Sequence, residues 1–463
     1  MALIKSISGI RGTIGGKAEE NLTPIDIVKF TSAFVTFLRK GDNTKPLTLV
    51  VGRDARISGE LVSTLVCTTL QAMGVHVIDL GLSTTPTVEM YIIQHPVEGG
   101  IILTASHNPM NWNALKLLNK KGEFISGADG KKLLDIAEKQ EFEYAEVKNL
   151  GQYVQDHNAI SNHIDAILKL DLVDVEAITT AHFSIIADCI NSTGSLAIPA
   201  LLEKLGVTQI KVLNGDLSGV FAHNPEPLPE HLFELSNEMK KNNYHVGFVV
   251  DPDVDRLAIV MEDGEMFGEE YTLVSVADYV LQNKKGNTVS NLSSTRALRD
   301  VSNKFGVEYH AASVGEVNVV EKMKATDAII GGEGNGGVIY PELHYGRDAL
   351  VGIALFLSYM AKTKKECSEI RRSYPFYYIS KNKIELKPDM KVHKILDHIA
   401  HKYSNYQVTT TDGVKVDFED SWVHLRPSNT EPIIRIYAEA LTESTADNIA
   451  KKLIADIREF LNE

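Results

Sequence analysis

The sequence predicts an α/β protein of three or four domains that ends in a small α+β unit. Two patterns carry this expectation. Short apolar strand-like runs alternate with helix-like runs, and each strand leads into a loop rich in Gly, Ser, Thr, Asn or Asp. That is the signature of sheets whose working loops lie at strand ends. From about residue 373 the pattern changes to alternating strands around single helices. A chain of 463 residues, 44% of them hydrophobic, is also far more than one core needs, which favours units of roughly 100–150 residues. The expected units are 1–150, 151–256, 257–372 and 373–463.

The elements follow in chain order. PLTLVVG (46–52) is a continuous apolar strand, and 57–74 reads as a helix with Leu61, Leu65 and Ala72 on one face. VHVIDLG (75–81) and GGIILTA (99–105) are the next strands. SIIADCI (184–190) repeats the theme, with the loop NSTGS and a helix over 195–205. HVGFVV (245–250) ends in DPDVDR, and RLAIVMEDGEMFG (256–268) reads as a hairpin around Asp263-Gly264. DAIIGG (327–332) is a further strand, followed by EGNGG. In the C-terminal unit, 377–386 alternates as a strand, 391–403 reads as a helix, and WVHLRP and IIRIYAEA are strands. The chain ends in a helix with a capping-box pattern at Ser444 and Asp447 and an apolar stripe of Ile449, Leu453, Ile457 and Phe460.

Composition narrows the function. The net charge of −14 argues against nucleic acid and acidic membranes as main partners. No apolar run reaches the ~20 residues of a membrane span, and MALIKSISGIRG lacks a signal peptide's apolar stretch. Cys67, Cys189 and Cys367 lie far apart with no metal-ligand spacing, as expected of buried thiols in a reducing cytoplasm.

Four stretches carry chemistry. In DPDVDR, Asp251, Asp253 and Asp255 fall at i, i+2 and i+4. In an extended segment such side chains share one side. Three converging carboxylates call for a cation, and all-oxygen ligands favour a hard one such as Mg²⁺. The competing reading is a solvated acidic turn. LRPSNTEPIIR packs Arg426, Ser428, Asn429 and Thr430 together, with Arg435 on the following strand, which is a phosphate cradle by composition. It also fits a plain polar turn. GGEGNGG (331–337) lets backbone approach a ligand closely, with Glu333 and Asn335 as its side chains for sugar hydroxyls or an amino group. Arg11, Arg53 and Arg56 follow strands and fit either a phosphate site or the surface. TASHNPMNWNALK places Ser106 beside His107 but lacks the glycines of a nucleophile elbow. With a metal loop and a phosphate cradle elsewhere, Ser106 reads better as a phosphoserine than as a hydrolase nucleophile, with Lys116 ten residues on to neutralise charge or move protons.

TASHNP with Lys116, DPDVDR, GGEGNGG and RPSNTEP occur in the order and spacing of the α-D-phosphohexomutases, and the resemblance spans the whole chain. It implies four domains around a central cleft, three similar α/β sandwiches and a C-terminal domain like the TATA-binding protein. It further implies that Ser106 carries a phosphoryl group, and that Asp251, Asp253, Asp255 and the Ser106 phosphate bind one Mg²⁺. Arg11, Lys116, His107 and Arg256 would lie near the transferred group. Glu333 and Asn335 would read the sugar, while Arg426, Ser428, Asn429, Thr430 and Arg435 would hold the other phosphate. The implied reaction moves a phosphoryl group between the 6- and 1-positions of a hexose phosphate through a 1,6-bisphosphate. The implied enzyme is a cytoplasmic monomer or homodimer. The form GEGNGGVIYPE resembles members acting on glucosamine phosphates; glucose or mannose phosphates are the alternative. The chain departs from common family patterns at Pro252, Val254, Trp112, Ala114 and Val317. The histidine that often ends the sugar loop is replaced by Gly337, which shifts proton transfer towards Lys116 and demotes His107 to positioning.

Overall fold

The computed structural model describes residues 3–6, 9–42, 45–386, 391–428 and 433–462. Four separate sheets organise the chain. The first has seven strands, in the spatial order Leu3–Ser6, Gly9–Thr13, Trp112–Leu118, Gly99–Leu103, Leu47–Arg53, Val75–Leu82 and Tyr153–Gln155. Its central strands, Trp112–Leu118, Gly99–Leu103 and Leu47–Arg53, bury both faces, since alternate residues point opposite ways. Leu49, Val51, Ile101 and Leu103 pack under the helices Pro24–Arg39 and Gly59–Ala72. Val50 and Ile102 face Val88 and Ile92 of the helix Thr85–Gln94 on the other side.

The second and third sheets repeat one plan: three parallel strands and one antiparallel neighbour. In the second sheet, Val246–Val250 runs parallel to Ser184–Asp188, and Leu257–Met261 returns antiparallel beside it. That return strand completes the second sheet, so the hairpin straddles the expected break at 256 and belongs with the residues before it. In the third, Ala328–Glu333 is followed by the antiparallel Gly337–Ile339. One continuous core joins these two units through the apolar helices Glu269–Asn283 and Ala349–Thr363.

The C-terminal sheet has five antiparallel strands with the helices Val392–Lys402 and Glu443–Asn462 packed over it. This is the α+β unit the sequence leads one to expect. The terminal stripe is real: Leu453 and Ile457 are buried, with Ile449 and Phe460 packed around them. Its cap is Thr442, whose hydroxyl accepts from the Thr445 N–H at 3.2 Å, whereas Asp447 takes a hydrogen bond from Ser380. The helix over 59–72 also turns differently from expectation. Val62, Val66 and Leu70 form its buried face, and Leu61 is 53% exposed. Among the described residues no helix is long and apolar enough to cross a membrane.

Candidate active site

In each of the first three units the loop of interest is the return from a parallel strand to an antiparallel neighbour. TASHNPMN joins Gly99–Leu103 to Trp112–Leu118, DPDVDR joins Val246–Val250 to Leu257–Met261, and Gly334–Gly336 joins Ala328–Glu333 to Gly337–Ile339. Ser106 and His107 of the first loop, Arg256 of the second and Glu333 at the edge of the third line one cavity of about 600 Å³, together with Arg426 of the fourth unit.

Ser106 sits in the left-handed backbone region, φ +49°, which costs a non-glycine residue about 1–2 kcal/mol. The loop around it is over-determined. Its N–H donates to Thr104 Oγ1 at 2.9 Å. Arg56, fully buried, donates to the carbonyls of Ser106, Asn108 (2.7 Å), Pro109 (2.7 Å) and Trp112 (3.0 Å), and its Nε donates to Asp54 at 3.0 Å. Arg56 is therefore the scaffold of the serine loop, and its donors are spent on carbonyls instead of phosphate. Arg53 lines a different cavity, with Cys67 and Asp79.

The aspartates converge, though not through an extended segment. DPDVDR turns back on itself: the Val254 N–H donates to the Asp251 carbonyl, and Val254 adopts φ +63° with its side chain buried in the core. A β-branched residue rarely takes that conformation. Asp251, Asp253 and Asp255 are all fully buried, with carboxylate oxygens within 4.8 Å of one another. Each is met by a group from elsewhere. Ser106 Oγ donates to Asp251 at 2.6 Å, while Thr85 Oγ1 and Lys116 Nζ donate to Asp253 at 2.6 and 2.7 Å. Lys116 also lies 3.6 Å from Asp255, and Arg347 donates to Asp255 at 2.7 Å.

Burial, and then the neighbouring Asp255 and Asp253, pushes Asp251 well above the usual carboxylate range. For Asp253 burial is outweighed by Lys116 and Thr85, and its pKa is lowered. Lys116 is held protonated: burial opposes its charge, but Asp253 and Asp255 raise its pKa. It is a cation beside the triad, not a free base. His107 lies 3.4 Å from Ser106 Oγ and is kept neutral by Arg256 first, then by burial and Arg11. Arg11 and Arg256 line the same cavity. One oxygen each of Asp253 and Asp255 is buried without a hydrogen-bond partner among the described residues. Orphaned acceptors in a nest of carboxylates are what a hard divalent cation would satisfy.

At the sugar loop, Glu333 lines the cavity and accepts from Asn291 (2.9 Å), the Gly315 N–H (3.0 Å) and Arg347 (2.8 Å). Glu316, from SVGEVNVV, lies on the other flank of Arg347, 3.1 Å from its Nε. Burial raises the Glu316 pKa; at Glu333 burial is outweighed by Arg347 and the other donors, and the pKa falls. Asn335 is half-buried, its Oδ1 has no hydrogen-bond partner among the described residues, and it is not among the residues that line the cavity. At the far end Arg426 lines the cavity, with its Nε 3.1 Å from Asp412. Arg435 is its cross-strand partner. The Ser428 N–H donates to the Ile433 carbonyl. Asn429 and Thr430 lie outside the described residues.

The residues that sequence reasoning missed are Thr85, Glu316 and Arg347. Thr85 is the first helical residue after Ser83-Thr84, and Arg347 lies in HYGRDAL. Thr84 and Pro86 mark a helix start, but nothing in either stretch marks a contact with the aspartates, and these roles arise only when separate units meet.

Comparison with known proteins gives the same picture across the whole chain. Models of the phosphoglucomutase/phosphomannomutase α/β/α domains I, II and III match residues 3–144, 161–264 and 268–377, and that of the C-terminal domain matches 383–455. A phosphoglucomutase/phosphomannomutase of Thermococcus kodakarensis is 35% identical, covering 94% of this chain and 95% of its own. A phosphoglucosamine/phosphogalactosamine mutase of Sulfurisphaera tokodaii is 32% identical, covering 98% of both chains. Among solved structures, a phosphoglucomutase/phosphomannomutase family protein of Burkholderia thailandensis superposes with a TM-score of 0.85 at 24% identity, covering 99% of this chain and 98% of that one. Four domain models in order and a relative of this similarity over nearly the full length make the chain a member of the phosphoglucomutase/phosphomannomutase family of phosphohexomutases.

Proposed function

We propose that the protein interconverts the 6- and 1-phosphates of a hexose through phospho-Ser106, with glucosamine phosphate as the preferred sugar. The observation that carries the reading is the Ser106 hydroxyl 2.6 Å from Asp251, in a cavity whose far wall holds Arg426. The serine phosphate would lie at the aspartate triad while a second phosphate is held by the fourth unit.

Phospho-Ser106 gives its phosphoryl group to one sugar hydroxyl: the P–Oγ bond breaks, a P–O bond to the sugar forms, and the hydroxyl proton ends on the Ser106 oxygen. The bisphosphate turns end for end, and Ser106 takes the other phosphoryl group. Such transfers depend on positioning and charge neutralisation. Asp251, Asp253 and Asp255 would hold Mg²⁺, which when bound supplies Lewis-acid stabilisation of the transferring group. Lys116, Arg11 and Arg256 add fixed positive charge from this chain. Glu333 and Glu316 would face the sugar, and Arg426, Ser428 and Arg435, with Asn429 and Thr430 of the same stretch, the non-reacting phosphate. The fourth unit would close over the bound sugar and limit loss of phosphoryl groups to water.

Two carboxylates, Glu316 and Glu333, share one arginine at the sugar end. That excess negative charge suits an ammonium group and supports glucosamine. The Sulfurisphaera relative bears an amino-sugar name. The Thermococcus relative, named for glucose and mannose phosphates, supports the alternative. Side-by-side kcat/KM values on glucosamine-, glucose- and mannose-6-phosphate decide between them. Glucosamine 6-phosphate as the poorest substrate would overturn the first choice, and stoichiometric release of inorganic phosphate would overturn the mutase reading.

A further inference from the structure

Arg347 is heavily engaged within the cavity, and no motif marked it. Its three guanidinium nitrogens go to three carboxylates on three different segments. Nη2 donates to Asp255 of the aspartate loop at 2.7 Å, Nη1 to Glu333 of the sugar loop at 2.8 Å, and Nε to Glu316 at 3.1 Å. Its own N–H also donates to Glu316, at 3.2 Å. A planar fork of fixed donors is what such a three-way bridge requires, and lysine cannot reproduce it.

The backbone that presents it is held from behind. The next residue, Asp348, caps the helix Ala349–Thr363 and accepts from the Leu350 and Val351 N–H groups. Its other oxygen lies 2.9 Å from His163 Nε2 and 3.3 Å from His344 Nε2. His344 lies 3.4 Å from Glu89, and His163 Nδ1 lies 3.0 Å from the Thr87 hydroxyl. This fully buried cluster draws on the first three units, so the loop that carries Arg347 has little freedom.

Arg347 also explains the glycine that ends the sugar loop. A Cβ on Gly337 would lie 2.3 Å from Arg347 Cδ and 3.0 Å from its Cγ. The arginine is pinned at its far end by three carboxylates and cannot swing aside at low cost. A side chain at 337 and this placement of Arg347 exclude each other. Since arginine stays protonated, it cannot substitute for a histidine as a base; what it offers is charge and geometry.

We propose that Arg347 is a positioning residue that couples sugar recognition to the metal loop. It fixes Glu333 and Glu316 towards the sugar and Asp255 within the triad, in the volume that a side chain at 337 would need. The inference rests on the mutase reading for the identity of the ligands but is tested by binding, not turnover. The dephosphorylated protein is titrated with Mn²⁺ alone, followed by electron paramagnetic resonance, and separately with glucosamine, glucose and mannose 6-phosphates by calorimetry. Arg347→Gln weakens Mn²⁺ binding about tenfold, as loss of an outer partner of a metal ligand does, and brings the three sugar Kd values to within about threefold of one another. Should that variant fail to fold, Gly337→Ala tests the same point, because its Cβ displaces Arg347 without removing its charge; the same two changes are expected. Unchanged Mn²⁺ affinity, or unchanged ratios among the sugars, overturns the proposal. A wild-type protein that binds these ligands but turns over none of them counts against the mutase reading instead.

Discussion

The two ends of the cavity are built on opposite principles. At the aspartate end the three carboxylates, Lys116 and Arg347 are buried, and each carboxylate is matched by a donor from another part of the chain: Ser106, Thr85 and Lys116 from the first unit and Arg347 from the third. At the phosphate end Arg426 is only half-buried, pairs with Asp412 of its own unit, and stands on an antiparallel sheet with its own separate core. The contrast matches the chemistry proposed for each. A reacting centre needs donors and acceptors fixed before the substrate arrives. A holding site that must accept the sugar in two orientations needs donors without a tightly shaped wall. Changes to the buried charges at the aspartate end are thus expected to affect kcat and stability together, and changes at the phosphate end mainly KM.

The largest effect is expected from Ser106→Ala, which removes the proposed phosphoryl carrier and lowers kcat by roughly 10⁴-fold or more with no loss of melting temperature. Asp253→Asn comes next. It leaves Lys116 buried without its partner, so chemical denaturation is expected to show a loss of about 3 kcal/mol along with lost activity. Thr85→Val sharpens the same point, since it removes only the hydroxyl that orients Asp253. Metal affinity measured by calorimetry is expected to fall by about tenfold or somewhat more. At the other end, Arg426→Gln is expected to raise KM by about tenfold and leave kcat within a few-fold. A kcat loss as large as that of Asp253→Asn would erase the proposed contrast.

The smallest effect concerns pH. Burial disfavours the charged His344 ring, but Asp348 and Glu89 raise its pKa to about 9. Burial raises Glu89 to about 8. Both groups bind protons more tightly in the folded state, so stability falls as pH rises, for His344 from its ordinary value near 6.5 up through 9. The melting temperature is expected to decline by a few degrees between pH 7 and 10, and His344→Gln is expected to flatten that decline. A melting temperature that rises over this interval contradicts the charge assignment.

Much of this architecture was legible in the sequence, because it is carried by local signals. Continuous apolar strands ending in polar loops announced the α/β units, and the change of pattern near 373 announced the antiparallel one. The serine, aspartate and sugar loops were each visible as a cluster of unusual residues, and the structure brings Ser106, Lys116, Asp251, Glu333 and Arg426 to one cavity. What the sequence concealed depends on contacts between distant segments. Arg56 fits either a phosphate site or the surface by sequence, because an arginine after a strand is ambiguous until the carbonyls it serves are seen. The aspartates were expected to converge on an extended backbone, whereas a left-handed Val254 brings them together. Leu61 was assigned to a buried face from its apolar character, but the helix is set by Val62, Val66 and Leu70 one position away. Thr85 and Arg347 act across unit boundaries and leave no trace in any short stretch.

The phosphoryl group itself tests the central claim most directly. The protein is incubated with a hexose 1,6-bisphosphate, digested and examined by mass spectrometry before and after a chase with the hexose monophosphate. One phosphoryl group on the peptide containing Ser106, lost during the chase and absent in Ser106→Ala, is the predicted result. Continued turnover with that peptide unmodified, or with the phosphoryl group on another residue, would contradict the account.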